Sequence, residues 1–207
     1  MSPTDNPLWI KVCGMTTEAA VDAALDAGVD AIGFVFAPSV RVVSLQTALR
    51  LAAPARGRVA CVAVTLHPSR ELLDQILAEF VPDILQTDAE DLEKLALQAE
   101  CAVLPVLRGD RSERSELPAR VLFEGPRSGS GQPADWERAA RLARRTELVL
   151  AGGLSTGNVA AAIARVRPFG VDVSSGVEAN PGVKSPERIR EFVRLARLTA
   201  PSEEAQG

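Results

Sequence analysis

Two side chains stand out because each ends an apolar run. Cys13 closes Leu8-Trp9-Ile10-Lys11-Val12 and is followed by Gly14-Met15-Thr16-Thr17. The glycine permits a sharp turn, and the threonines can cap a helix whose positive end then faces the sulfur. A thiol so placed is a base or nucleophile if its pKa falls, and Lys11, two residues back on the same strand face, is a cation that would lower it. Otherwise Cys13 is a small buried hydrophobe. Glu124 closes Val121-Leu122-Phe123, an awkward place for an unpaired charge. Its carboxyl either has a raised pKa and a proton to donate, or pairs with a cation such as Arg127. Arg41, in the loop Ala37-Pro38-Ser39-Val40-Arg41, either grips a carboxylate with both arms of its guanidinium or lies solvated.

Glycines supply a second chemistry. Gly129-Ser130-Gly131, Gly152-Gly153 and Ser174-Ser175-Gly176 each follow an apolar run. One such loop is only a tight turn, but three in succession can bring backbone N–H groups onto an anion, phosphate above all. The lone histidine, His67, precedes Pro68, so neither a Ser-His-Asp triad nor a histidine-rich metal site is expected. Cys61 and Cys101 fall within or at the start of their apolar runs and read as packing residues.

The elements that must position these groups alternate along the chain. Apolar runs predict strands at Leu8–Cys13, Ala31–Phe36, Val59–Val64, Ile84–Gln86, Cys101–Leu107, Val121–Glu124, Leu148–Ala151 and Gly170–Val173. Helical periodicity fills the gaps, most clearly at Leu72, Leu73, Ile76, Leu77 and Phe80. Gly28 should end the first helix, and Ser185-Pro186-Glu187 should open the last. The segment Arg108 to Arg120 is charged, contains Pro118 and shows no amphipathic face, so a loop is expected in place of the fifth helix. Continuous apolar strands imply a parallel sheet covered on both faces. Eight strand–helix units in one domain predict a small (β/α)₈ TIM barrel, with an open doubly wound sheet as the alternative. Flexible tails are expected at about 1–7 and 201–207. In either architecture ligands bind at the carboxyl ends of the strands, where Cys13, Arg41, Glu124 and the three glycine loops all fall.

Bulk properties narrow the class. A chain of 207 residues with 46% hydrophobic composition can bury a substantial core as a single domain. The net charge of −4, with arginines scattered among acids, argues against nucleic acid. The polar start lacks a signal-like apolar stretch, no run is long enough to span a membrane, and three cysteines without metal spacing read as free thiols. A cytoplasmic protein is expected.

Lys11-Val12-Cys13-Gly14-Met15-Thr16, Gly33-Phe34-Val35-Phe36 with Ser39-Val40-Arg41, Gly129-Ser130-Gly131 with Asp135-Trp136, Ala151-Gly152-Gly153-Leu154 with Asn158-Val159, and Val171-Asp172-Val173-Ser174-Ser175-Gly176-Val177-Glu178 occur in that order. Together they resemble the phosphoribosylanthranilate isomerase family of tryptophan biosynthesis, over nearly the whole chain. The resemblance implies a small barrel with an irregular fifth helix. It also implies an Amadori rearrangement of N-(5-phosphoribosyl)anthranilate to 1-(2-carboxyphenylamino)-1-deoxyribulose 5-phosphate, with no metal or cofactor. The family's general base falls on Cys13 and its general acid on Glu124. Arg41 takes the anthranilate carboxylate, Gly152, Gly153, Ser174 and Ser175 take the phosphate, and further substrate contacts fall on Gly129, Gly131, Asp172 and Gly176. The partner implied is a phosphorylated small molecule, with the protein a monomer or homodimer.

Two positions depart from the family pattern. The acid is commonly aspartate, and the fourth strand commonly ends Gln-Leu-His-Gly where this chain has Gln86-Thr87-Asp88-Ala89. Two other readings compete: a Schiff-base barrel with Lys11 as the amine, and a binder of sugar phosphates without catalysis.

Overall fold

The computed structural model describes residues 8–95, 101–108, 116–125 and 134–199. Eight strands close a barrel in chain order, each parallel to its neighbours: β1 (Trp9–Cys13), β2 (Ala31–Val35), β3 (Ala60–Val64), β4 (Ile84–Asp88), β5 (Ala102–Arg108), β6 (Arg120–Glu124), β7 (Glu147–Leu150) and β8 (Gly170–Val173). Closure is made by β1 against β8, with Lys11 opposite Asp172. Among the described residues the surrounding helices are α1 (Glu18–Ala27), α2 (Leu45–Ala52), α3 (Arg70–Gln75), α4 (Ala89–Leu95), α5 (Trp136–Ala143), α6 (Val159–Val166) and α7 (Pro186–Thr199).

Local chemistry sets these boundaries. Thr17, Ser44, Ser69 and Asp135 each accept a backbone N–H from the first turn of the helix they precede. Gly28 ends α1 with φ 75°, the left-handed conformation that costs glycine little. Side chains alternate along each strand. Ile10, Val12, Ile32, Phe34, Phe123 and Leu150 point outward into one large apolar layer beneath the helices. Leu104, Val106, Leu122 and Val149 fill the barrel itself, with Trp9 and Phe169 against them. On the same inward face of β1, Lys11 and Cys13 lie above Trp9. A Cβ at Gly33 of the neighbouring strand would stand 3.0 Å from the Cys13 sulfur and 3.2 Å from the Lys11 ammonium. Glycine there makes room for both.

Several boundaries differ from the sequence reading. β4 runs to Asp88 rather than stopping at Gln86, and Arg108 and Arg120 are strand residues rather than the ends of a loop. β2 stops at Val35 and β7 at Leu150, one residue earlier than expected. Past Gln75 the third helix widens into a π turn, Ile76–Phe80. The loop expected in place of a fifth helix falls partly outside the described residues, at 109–115, and 116–119 contain no helix. The expected tails also lie outside them. One element was not anticipated: after β8 the chain forms a short antiparallel hairpin, β9 (Glu178–Asn180) and β10 (Val183–Lys184), before α7. Among the described residues no helix is long and apolar enough to cross a membrane.

Candidate active site

Two groups of polar side chains stand at the carboxyl ends of the strands. The first is built on β1, β8 and the β9–β10 hairpin. Lys11, with no exposed surface, donates from Nζ to Asp172 Oδ1 at 3.0 Å. Cys13 lies one pleat higher, and Ser174 Oγ donates to its backbone carbonyl at 3.0 Å. Lys184 is likewise buried, and its Nζ donates to Ser174 O at 3.2 Å, Ser174 Oγ at 3.1 Å and Glu178 Oε1 at 2.7 Å.

The thiol therefore sits among opposed influences. Burial pushes the Cys13 pKa above the usual thiol range, and the Asp172 carboxylate pushes the same way. Lys11 and Lys184 pull it down without prevailing. Lys11 acts in the anticipated direction, but desolvation outweighs it, so the condition of a lowered thiol is not met. Burial alone would lower Lys11, yet Asp172 and the Cys13 sulfur hold it above its ordinary value. A lysine so held is a poor Schiff-base amine, which needs a depressed pKa.

Arg41 does not lie solvated. Its Nε donates to Glu178 Oε1 at 2.6 Å and its Nη2 to Oε2 at 3.1 Å, both buried. Glu178 also accepts from Lys184 and from the Gly182 N–H. Although burial opposes it, these donors hold the Glu178 carboxyl at about 2, well below the usual range. The ion pair uses one side of the guanidinium and leaves the Nη1–Nη2 edge for another carboxylate. Gly14, at φ 81°, lets the arginine pack against the turn after Cys13, where a Cβ would come within 2.7 Å of Arg41 Cδ.

The second group is built on β4, β5 and β6. Arg108 donates from Nε to both oxygens of Asp88 at 3.1 Å and from Nη2 to Asp88 Oδ1 at 2.7 Å. Its Nη1 donates to Glu124 Oε1. Glu124 is 9% exposed, so the buried carboxylate anticipated at this strand end is present, but paired. Arg108 is a cation that pairs with it. Arg127, the partner considered from sequence, lies outside the described residues.

The glycine turns are partly described. Gly152 and Gly153 take φ 86° and 67°, and Asn158 pins them by donating to Gly153 O and accepting from Ser155 N, each at 2.8 Å. Ser155 and Gly176 form a parallel bridge that joins this turn to Ser174-Ser175-Gly176. Gly129 and Gly131 lie outside the described residues. Of the other candidates, Cys61 is fully buried packing, and Cys101 is partly buried against the core. His67 is a structural clamp: its ring Nδ1 lies 2.7 Å from Asp91, which also accepts its backbone N–H at 2.9 Å. Sequence reasoning placed Arg108 and Asp88 at the ligand-binding ends of the strands without giving them a role, and it missed the roles of Glu178 and Lys184. Glu178 appeared only as the end of a motif, and no local pattern marks Lys184.

Fold and site together define a (β/α)₈ barrel carrying a buried thiol, a buried carboxylate and small-residue turns on one face. A family model described as N-(5'phosphoribosyl)anthranilate (PRA) isomerase matches residues 10–195. The chain belongs to this family. It is 39% identical to the N-(5'-phosphoribosyl)anthranilate isomerase of Chelativorans sp. (strain BNC1), covering 92% of this chain and 97% of that protein. It is also similar to the solved TrpF of Jonesia denitrificans, with a TM-score of 0.80, 35% identity and coverage of 93% and 98%. A phosphoribosyl anthranilate isomerase solved with reduced 1-(o-carboxyphenylamino)-1-deoxyribulose 5-phosphate aligns with a TM-score of 0.78, 31% identity and coverage of 91% and 98%.

Proposed function

We propose that this chain isomerises N-(5-phosphoribosyl)anthranilate to 1-(2-carboxyphenylamino)-1-deoxyribulose 5-phosphate, the Amadori step of tryptophan biosynthesis, with Cys13 as base and Glu124 as acid. The observation that carries the reading is a buried thiol at the strand-end face of a barrel that matches the family over residues 10–195. The aminosugar's ring opens when Glu124 gives a proton to the ring oxygen as the C1–O bond breaks, leaving an iminium between C1 and nitrogen. That cation acidifies the C2–H bond. Cys13, as thiolate, takes the C2 proton, and the bonding electrons form the C1–C2 double bond of an enolamine. The enolamine gains a proton at C1 and loses one from its 2-hydroxyl, giving the ketone. Lys11 and Lys184 favour the thiolate this step needs.

Arg41, turned by Glu178 so that its Nη1–Nη2 edge is presented, holds the anthranilate carboxylate. The linked turns at Gly152-Gly153 and Ser174-Ser175-Gly176, with Gly129 and Gly131, receive the phosphate. Asp172 orients Lys11 beneath the reacting carbons. The proposed groups come from one chain, so the reading holds for a monomer or a homodimer. The free thiols fit a reducing, cytoplasmic setting.

Freshly prepared phosphoribosylanthranilate is fluorescent through its anthranilate ring and tests the activity. Wild-type protein is expected to speed the fluorescence loss and yield the ketose phosphate. Tight binding with no acceleration would instead support the non-catalytic binder. Borohydride added during turnover is expected to leave Lys11 unmodified, and a trapped adduct on it would favour Schiff-base chemistry.

A further inference from the structure

The fourth strand ends in an acid, the fifth in a base and the sixth in an acid, and the sheet sets them side by side. Arg108 is in register with Glu124, and Asp88 is in register with Val106, one inward-facing position below Arg108. All three side chains project from adjacent strand ends, and the guanidinium lies between the two carboxylates. The contacts are unequal. Asp88 takes the Nε–Nη2 side of the guanidinium through three hydrogen bonds, while Glu124 takes Nη1.

This inequality divides the work. A guanidinium gripped along one side by a carboxylate is fixed in plane and direction, so Nη1 becomes a donor at a set position. A glutamate ending a strand has three side-chain torsions to restrain, and a donor aimed from a fixed guanidinium acts on the carboxyl group directly.

We propose that Arg108, braced by Asp88, is a positioning residue that fixes the Glu124 carboxyl where the sugar ring oxygen must receive its proton. The proposal rests on the reading of Glu124 as the general acid. It also gives a use to the Asp88 ending of β4, because the strand that departs from the family pattern supplies the brace for an acid that departs from it too. Asp88 and Arg108 act through Glu124 and need not touch substrate.

Steady-state kinetics on phosphoribosylanthranilate test this with R108Q, R108K, D88N, E124Q and the double variant R108Q/E124Q. Displacing a catalytic group by about 1 Å costs on the order of 10²-fold in rate. R108Q is therefore expected to lower kcat by roughly 10- to 100-fold with KM within about threefold, and R108K to recover part of the loss. D88N, which keeps the cation but loosens it, should lower kcat in the same direction by a smaller factor. Residues acting as a unit are non-additive, so R108Q in the E124Q background should cost less than about twofold further. Thermal midpoints accompany each variant, and D88N carries the test alone if R108Q does not fold.

Wild-type kcat in D88N and R108Q, or a full additional R108Q loss in the E124Q background, would overturn the proposal. A rise in KM matching the fall in kcat/KM, with kcat unchanged, would overturn it as well, making the cluster a binding element. If E124Q itself is fully active, the assignment of the acid fails and this inference with it. If E124Q is inactive while R108Q and D88N are normal, only the positioning role fails.

Discussion

Cys13 closes β1, and its reactivity is set by the charges that the folded barrel brings against its sulfur. Its strand-end position follows from an apolar run closed by a turn glycine. The direction of its pKa depends on burial and on Asp172, with Lys11 and the distant Lys184 opposing them. Because the thiol is raised, the reactive thiolate is the minor form in free enzyme near neutrality and grows as pH rises. The groups acting on it are Lys11 on β1, Asp172 on β8 and Lys184 on β10. The base-controlled limb of kcat/KM should therefore climb into the alkaline range. K184M removes one ammonium and should move that limb to higher pH, and a pH–rate profile of wild type and K184M reads the shift. A limb that stays in place would remove Lys184 from the account. Glu124 offers the parallel lesson, since its burial was legible from the run it ends, while its partner Arg108 was read as the start of a loop.

Among the elements, the barrel strands and most helices were readable because local patterns specify them: continuous apolar runs for strands covered on both faces, and a 3.6-residue period for the helices. The β9–β10 hairpin was not. Glu-Ala-Asn and Val-Lys carry no alternating apolar signal, and the hairpin is held by distant side chains. Thr16 Oγ1 donates to Gly182 O at 2.7 Å across 166 positions, and Arg41 reaches Glu178 across 137. The Glu178 cluster makes hairpin stability pH-dependent. Its carboxyl sits at about 2 in the fold against 4.5 for an unperturbed glutamate. The unfolded chain thus binds the proton first, and the stabilisation is complete above the unfolded value. It is lost as pH falls from about 4.5 toward 2 and is worth on the order of 3 kcal/mol. Urea titrations across that window should show the loss, and E178Q should flatten it. An unchanged acid slope in E178Q would contradict the assignment. The turn below the hairpin is tested separately. A Cβ at Gly176 would stand 1.9 Å from the Leu154 carbonyl oxygen, so G176A must shift backbone and should cost roughly 2–4 kcal/mol. A thermal midpoint equal to wild type would contradict that packing.

For the whole molecule, periodicity cannot distinguish a barrel from an open sheet, and closure is implied in the sequence only by the number of units and by the family motifs. The closing step is the β8–β1 ladder, and in it Lys11 faces Asp172 across the seam. The ion pair that closes the barrel thus also places an ammonium beneath the proposed base. K11M would leave Asp172 buried without its Lys11 partner, at a cost of roughly 3–5 kcal/mol. It should lower stability and activity together, and chemical denaturation beside an activity assay reads both.

The most direct test compares wild type with C13A on freshly made phosphoribosylanthranilate, following fluorescence loss, with affinity for reduced 1-(o-carboxyphenylamino)-1-deoxyribulose 5-phosphate measured in parallel. If Cys13 removes the C2 proton, C13A should lose at least about 10³-fold in kcat while binding the analogue nearly as tightly as wild type does. Wild-type turnover by C13A would contradict the mechanism outright.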